Sequence, residues 1–501
     1  MAKRKPRARA ASAASKAKPD DELRIAVTFR RSTDQLGLTR FGARMTAAAV
    51  HEFLPDELAV GRGIDALTRA GFRVTTRGKL SVSIRGSRRD FERVFGTKLT
   101  PQQVATPPPA TMAAPPVYFP AADAPWAPDP GIAALIDDAY IQWPHLYFNQ
   151  RFVPPPSPLP PRVDYHHLRV PGDVVLMVNA ARVHRQGCTG HGVRVAMIDS
   201  GFAHGHPYFV EHGYNTSVVL APGATHKDRD GNGHGTGESA NLLAIAPDCT
   251  FIGVKLDSED GSSPGASVLE GFQEALRHNP QVISVSLGYD LVDGSAQRRH
   301  LTALPNNLKA LEAEIQAAVA AGVVVVFSAG NGHVAFPGMM PEVVSAGGVF
   351  VAADGAMRAS DYASAFASRI YAGRAVPDLA GLVGLASNRA DYIMLPIEVS
   401  CEIDVSNAAH DRTTASDGWG VFSGTSAAAP QLAGVCALLL EKNPGLTPSE
   451  IQQVLRRTAR DVVQGAASAA SNEGVALAAA PGADGATGGG LVDAFAAWQQ
   501  V

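Results

Sequence analysis

No uninterrupted apolar stretch of about 18 residues or more occurs in the 501-residue chain, so no transmembrane helix and no membrane partner are expected. Basic residues from Lys3 to Lys18 are not followed by an apolar run that could serve as a secretory h-region, and no acidic residue precedes Asp20. A standard signal peptide is therefore not expected, and a cytoplasmic location is favoured over export by a nonstandard route. The same composition reads as a solvated basic tail over residues 1–20. Cysteine is scarce: Cys188, Cys249, Cys401 and Cys436 are too few and too scattered for a disulfide framework or for paired zinc ligands, and read as isolated core thiols. Charge of one sign is also lacking, because the formal net charge is -3 with 18% charged residues. That balance points to no nucleic-acid partner and suits a globular enzyme with a large core. The chain has no internal repeat.

What is present divides the chain into unequal parts. From Leu23 to Phe29 the pattern is that of a strand, and Pro55 to Ala70 places Leu58, Ile64 and Leu67 at helical spacing before Gly71. Phe72 to Thr76 and Lys79 to Ile84 then alternate with period two around a turn at Gly78, Arg88 to Phe95 reads as a short helix, and Thr97 to Thr100 as a last strand. The order β-α-β-β-α-β predicts a small ferredoxin-like α+β unit over residues 21–103. Proline dominates from 104 to 163, which predicts an extended linker, with a short helix within Gly131 to Tyr140.

From 164 to 501, apolar or β-branched runs at Val193 to Ile198, Thr250 to Val254, Val282 to Val285 and Val323 to Phe327 alternate with helical patterns at Gly237 to Ala244, Ser267 to His278, Leu308 to Ala321, Ser426 to Glu441 and Thr447 to Thr458. Strands apolar along their whole length are buried on both faces, so this part is expected to be an α/β fold with a doubly wound parallel sheet.

Catalytic groups in such sheets gather where strands end and helices begin. Asp199 closes the run Val195-Ala196-Met197-Ile198 before Ser200-Gly201, and His234 stands in Asn232-Gly233-His234-Gly235-Thr236 at a helix entrance. Ser426 stands in Gly424-Thr425-Ser426-Ala427-Ala428-Ala429-Pro430, where free helix N–H groups favour a developing anion. Singly, each is better explained as a turn, structural or capping residue. Asp228-Arg229-Asp230-Gly231-Asn232 resembles the start of a calcium loop, but Ser239 occupies the place of the closing glutamate, so it reads as a polar turn. Ala428 stands where a G-x-S-x-G elbow has its last glycine, which argues against an α/β-hydrolase.

Together the order Asp, His, Ser is that of subtilisin, and the chain over residues 164–500 resembles the subtilisin-like (S8) serine peptidases. The likeness rests on Met197-Ile198-Asp199-Ser200-Gly201, Gly233-His234-Gly235-Thr236, Ser328-Ala329-Gly330-Asn331 and Gly424 to Pro430. It implies an endopeptidase of protein or peptide substrates in which Ser426 attacks the scissile carbonyl, His234 takes its proton, Asp199 orients the histidine and Asn331 donates to the oxyanion. It also implies a cleft lined by Ser286, Leu287 and Gly288 on one side and Ser328, Ala329 and Gly330 on the other, with Asp260 to Gly265 as a further edge, and a closing structural motif at Gly488 to Ala494. Catalysis of this type needs no cofactor and no metal, and structural calcium is not readable from the residues.

Two departures accompany the likeness. Gly237 stands where most of these enzymes have a second histidine, followed by Glu238. The N-terminal unit, through Gly71-Phe72-Arg73-Val74, Val82 to Gly86 and Phe91 to Thr97, resembles the activation segment of the sedolisin (S53) peptidases, which use Glu for His and Asp for the oxyanion Asn. His234 and Asn331 favour the subtilisin chemistry, while Glu238 keeps an acid-active alternative open; a catalytically silent peptide-binding module is the other alternative. The expected arrangement is a zymogen, with the chain's own N-terminal unit as a partner that blocks the cleft until the linker is cut.

Overall fold

The structure is a computed structural model that describes residues 22–30, 46–102, 117–121, 126–143, 146–147, 167–259, 263–386, 392–411 and 415–501. The basic tail, most of the proline-rich segment and residues 260–262 of the expected cleft edge lie outside these residues.

In the N-terminal unit, β1 (Glu22–Phe29), β2 (Arg73–Arg77) and β3 (Ser81–Ser87) form a sheet with β1 antiparallel to β3 and β3 to β2. Leu23, Ile25 and Val27 alternate onto one face, where Val82 and Ile84 join them under α1 (Glu57–Arg69) and α2 (Arg88–Val94). Asp56 and Ser87 start these helices by accepting an N–H from Leu58 and Asp90. Two expectations need correction. The segment Leu99–Gln102, β4, forms but pairs with Val117–Pro120, β5, as a separate ribbon. The fourth place in the sheet goes to Ile136–Ile141, β6, beside β1, giving the order β2-β3-β1-β6 of a split βαβ unit. The boundary expected at residue 103 therefore falls inside the unit, and the expected helix in Gly131 to Tyr140 shrinks to Pro130–Ala133. As an edge strand β6 buries chiefly Ile136 and Ala139, so Asp137 and Asp138 break the alternation that would have marked it.

In the larger part, six strands run parallel in the order β9 (Thr216–Leu220), β10 (Thr250–Lys255), β8 (Arg194–Asp199), β11 (Val282–Val285), β13 (Val324–Ser328) and β14 (Val344–Val351). Met357–Ala359, β15, closes the edge antiparallel to β14, and Leu379–Leu382, β16, pairs with β14 in parallel. Both faces are covered, as the continuous apolar strands require. Val195 and Met197 of β8 face α3 (His234–Ile245) and α6 (Thr425–Lys442), while Ala196 and Ile198 face α4 (Val268–Leu276) and α5 (Lys309–Ala320). All four cysteines are free and buried. Among the described residues, no helix is long and apolar enough to cross a membrane.

The outer face of the N-terminal sheet is seated on α4 and α5. The Glu314 carboxylate accepts the backbone N–H groups of Lys79, Leu80 and Ser81 at the β2–β3 turn. Arg85 is buried, donating to Pro222 O (2.8 Å) and Ser263 Oγ (3.2 Å) and pairing with buried Glu270 at 3.5 Å. Thr75 Oγ1 donates to Glu270 Oε1 at 2.7 Å, and Ser83 Oγ to Gln273 Oε1 at 3.2 Å.

Candidate active site

Asp199 is the last residue of β8, and His234 is the first of α3. His234 Nδ1 lies 2.7 Å from Asp199 Oδ1, with both side chains buried. Their approach depends on missing side chains: a Cβ on Gly235 would come within 2.8 Å of Asp199 Cβ. Gly233 enters the helix at φ 93°, a left-handed conformation that favours glycine. Burial by itself would lower the His234 pKa, but the Asp199 carboxylate, with smaller help from Glu238 and Asp230, holds it up at about 9. Asp230 is the residue that the sequence reading missed. Fully buried, it accepts from Ser200 Oγ (2.8 Å), Gly233 N (3.0 Å), Thr236 N (2.8 Å) and Thr236 Oγ1 (2.6 Å), tying the Asp199 turn to the start of α3. Burial raises its pKa against the pull of these donors.

Ser426 lies in the first turn of α6, entered through Gly424 at φ 112°. Pro430 has no N–H to give to the Ser426 carbonyl, which a regular helix would satisfy. Ser286 Oγ supplies that donor at 3.0 Å, while Ser426 Oγ lies 3.5 Å from Ser286 O. The nucleophile turn is held on its other side by Tyr362, whose hydroxyl accepts from Gly424 N at 3.1 Å. Asn331 follows β13 and is locked by its carbonyl: Oδ1 accepts from Thr425 N (2.9 Å) and Thr425 Oγ1 (3.2 Å), and Thr425 Oγ1 in turn accepts from Gly330 N (3.0 Å). This leaves Asn331 Nδ2 buried with no protein partner among the described residues, on a side chain bonded to Thr425, the residue before Ser426. Asn331 N donates to His333 Nδ1 at 3.2 Å, a ring kept neutral by burial. A carboxylate-held imidazole, a hydroxyl at a helix N-terminus and an unengaged amide are the parts needed for acyl transfer.

The structure also places the remaining cleft residues. Leu287 and Gly288 begin β12 (Leu287–Asp290), and their backbones pair antiparallel with Tyr147 and Leu146, β7, from the chain's own N-terminal part. Ser328, Ala329 and Gly330 are buried at the end of β13, and a Cβ on Gly330 would meet Ser364 Oγ at 3.0 Å and Ala335 Cβ at 3.1 Å. The 228–232 turn is a hydrogen-bonded scaffold with its cation built in. Lys255 Nζ, fully buried, donates to His226 O (3.0 Å), Arg229 O (2.7 Å) and Glu259. These oxygens are thereby engaged, as are those of Asp230. Among the described residues, no cluster of three or more His, Cys, Asp or Glu could hold a metal. The absent second histidine has a steric reason: a Cβ on Gly237 would lie 2.6 Å from the Phe422 ring, which packs 6.4 Å from the His234 ring.

Comparison with known proteins points to one family. The Subtilase family (peptidase S8) matches residues 190–476. Subtilisin E of Bacillus subtilis (strain 168) is 27% identical over 301 residues, which is 57% of this chain and 65% of that protein. A subtilisin of Bacillus pumilus is 27% identical over 294 residues, 57% of this chain and 90% of its own length. Among solved structures, fervidolysin from Fervidobacterium pennivorans superposes with a TM-score of 0.55 at 18% identity, covering 96% of this chain and 61% of that one, a likeness of fold. The family match spans more than half of the chain and takes in Asp199, His234, Asn331 and Ser426 alike; the protein belongs to the Subtilase family.

Proposed function

We propose that the protein is a serine endopeptidase that hydrolyses peptide bonds through an acyl-enzyme. The observation that carries this reading is the buried Asp199–His234 pair at the start of α3, together with the packing of α3 against α6, the helix whose first turn holds Ser426, and the unengaged Asn331 amide. Ser426 Oγ attacks the scissile carbonyl while His234 takes its proton; Asp199 fixes the imidazole tautomer and stabilises the imidazolium. Asn331 Nδ2 and the Ser426 backbone N–H donate to the tetrahedral oxyanion, and His234 returns the proton to the leaving amine. An extended substrate adds as a strand to Ser286, Leu287 and Gly288, with Ser328, Ala329 and Gly330 lining the pocket for the side chain before the cut.

The N-terminal unit acts as a pro-domain. Support comes from its seat on α4 and α5 and from the pairing of β7 with β12, by which the chain's own backbone takes the strand position a substrate would need. Its strand order and its likeness to a sedolisin activation segment fit that role. Cutting between Tyr147 and the start of the larger part, by the enzyme itself, would free the cleft.

A fluorophosphonate probe tests both steps. The processed wild type is expected to label at Ser426, and Ser426→Ala is expected to stay full length and unlabelled. Absence of labelling in processed protein, or an activity optimum near pH 3 to 4, overturns the reading, since a histidine base is lost as it protonates. Wild type that cleaves peptides while remaining full length overturns autoprocessing alone.

A further inference from the structure

Helix α3 carries a second acid on the His234 face. Glu238 lies four residues after His234, a spacing that sets the two Cβ atoms about 5–6 Å apart on one side of a helix. Its side chain is fully buried. One carboxylate oxygen, Oε2, accepts from Asn241 Nδ2 at 2.8 Å; the other, Oε1, has no hydrogen-bond partner among the described residues. A buried carboxyl with one oxygen unsatisfied is costly, and a hydrophobic side chain would fill this place in the helix at no such cost.

The neighbours narrow what the group can do. Along α3, Glu238 faces His234 and Asn241, and from the end of β8 it feels Asp199. Asp230, in the turn before the helix, also acts on the imidazole. His204 bonds Ser239 Oγ at 3.0 Å and is kept neutral by burial. From α6, which packs along α3, the titratable group before Glu441 is Cys436, a thiol that burial pushes up to about 12. Gln431 on the same helix is engaged with Leu382. Gly237 admits the Phe422 ring over this part of the helix. The only described group of opposite charge that acts on Glu238 is thus the His234 imidazolium.

We propose that Glu238 is a positioning residue that acts through His234, coupling its own proton to that of the imidazole and so setting the pH at which His234 becomes a base. Burial pushes the Glu238 pKa up to about 8 even against the pull of a charged His234, and when His234 is neutral that pull is gone and Glu238 is a neutral acid. When the imidazole is charged, the two groups favour each other's ionised forms, and the pair titrates as a unit. Asp199 orients the ring at Nδ1; Glu238 adds a charge one helical turn away that is switched by the ring's own state. This inference rests on the reading of His234 as the general base.

The test uses the full chain with Glu238→Gln, which keeps the shape and the hydrogen bond to Asn241 but cannot ionise. Glu238→Leu serves as the second variant should the first not fold. Two readouts are taken: the acid limb of kcat/KM against pH in the processed enzyme, and the NMR titration of the His234 imidazole in a Ser426→Ala background. The expected result is that both midpoints fall by about one pH unit, the size of a nearby opposite charge. A purely structural Glu238 would leave them in place, and unchanged midpoints in a folded variant overturn the proposal. Should the imidazole midpoint move in the Ser426→Ala background while processed protein that keeps Ser426 takes no fluorophosphonate label, the peptidase reading fails while the hold of Glu238 on His234 stands.

Discussion

The two helix layers on either side of the parallel sheet are built from opposite materials. On the α3 and α6 side, Gly233, Gly235, Gly237, Gly424 and a run of alanines bring backbone and short side chains into contact, so the site geometry is set by close approach. On the α4 and α5 side, long charged side chains do the holding: Arg85 against Glu270, and Glu314 beneath the Lys79 to Ser81 turn. A surface made by close approach has no alternative arrangement nearby, which suits groups that must stay in register. A surface made by buried charge pairs is strongly weakened when one partner is lost, which suits the release proposed for the N-terminal unit.

The largest effect expected on the first surface is that of Ser426→Ala, a loss of about 10^6-fold in kcat with the melting temperature unmoved. The second surface should break through Arg85→Ala, which strands the Glu270 carboxylate at a cost of about 3–5 kcal/mol. In a Ser426→Ala background, denaturant unfolding should then show the N-terminal unit released early while the larger part keeps its midpoint. Asn331→Ala is expected to lower kcat by about 10^2–10^3-fold with KM little changed, as measured on a short peptide substrate. Gly237→Ala sharpens the contrast from the packing side. Its methyl would run into Phe422, and overpacking of this kind costs about 1–3 kcal/mol, visible as a lower melting temperature.

The smallest and most graded effect is that of pH. The His234 pKa is raised from 6.5 to about 9, so its contribution to stability is present below 6.5 and is lost as pH rises through 9. Activity runs the other way, because only the deprotonated ring is a base. Stopped assays and thermal melts across that window should cross, and an acid limb below pH 6.5 would contradict the cause given for the shift.

Much of the site was legible because its parts sit next to sequence punctuation. Asp199 ends an apolar run, His234 stands among glycines, and Ser426 opens a long apolar helix, so their places at a strand end and at helix starts follow from local rules, while their chemical reading came from their joint order and the family likeness. Asp230 was not legible: an Asp-x-Asp-Gly-Asn turn looks the same whether its carboxylate faces solvent or caps four donors in the interior. Strand β6 escaped for a related reason. Ile136 and Ala139 are too few apolar positions to signal a strand, and only the vacant edge of β1 makes Ile136–Ile141 one. Glu238 was visible as a departure, but its burial is a property of the folded chain alone.

By itself the sequence determined the central strands and the helices between them, the double-sided burial of those strands and the order of the chemical groups, since these follow from periodicity and from where glycine and proline fall. The tertiary structure decided which carboxylates are buried, which carbonyl lacks a donor and gains Ser286, and which segment completes the N-terminal sheet. Those outcomes depend on distances between residues far apart in the chain, and desolvation, hydrogen bonding and charge coupling all act through distance.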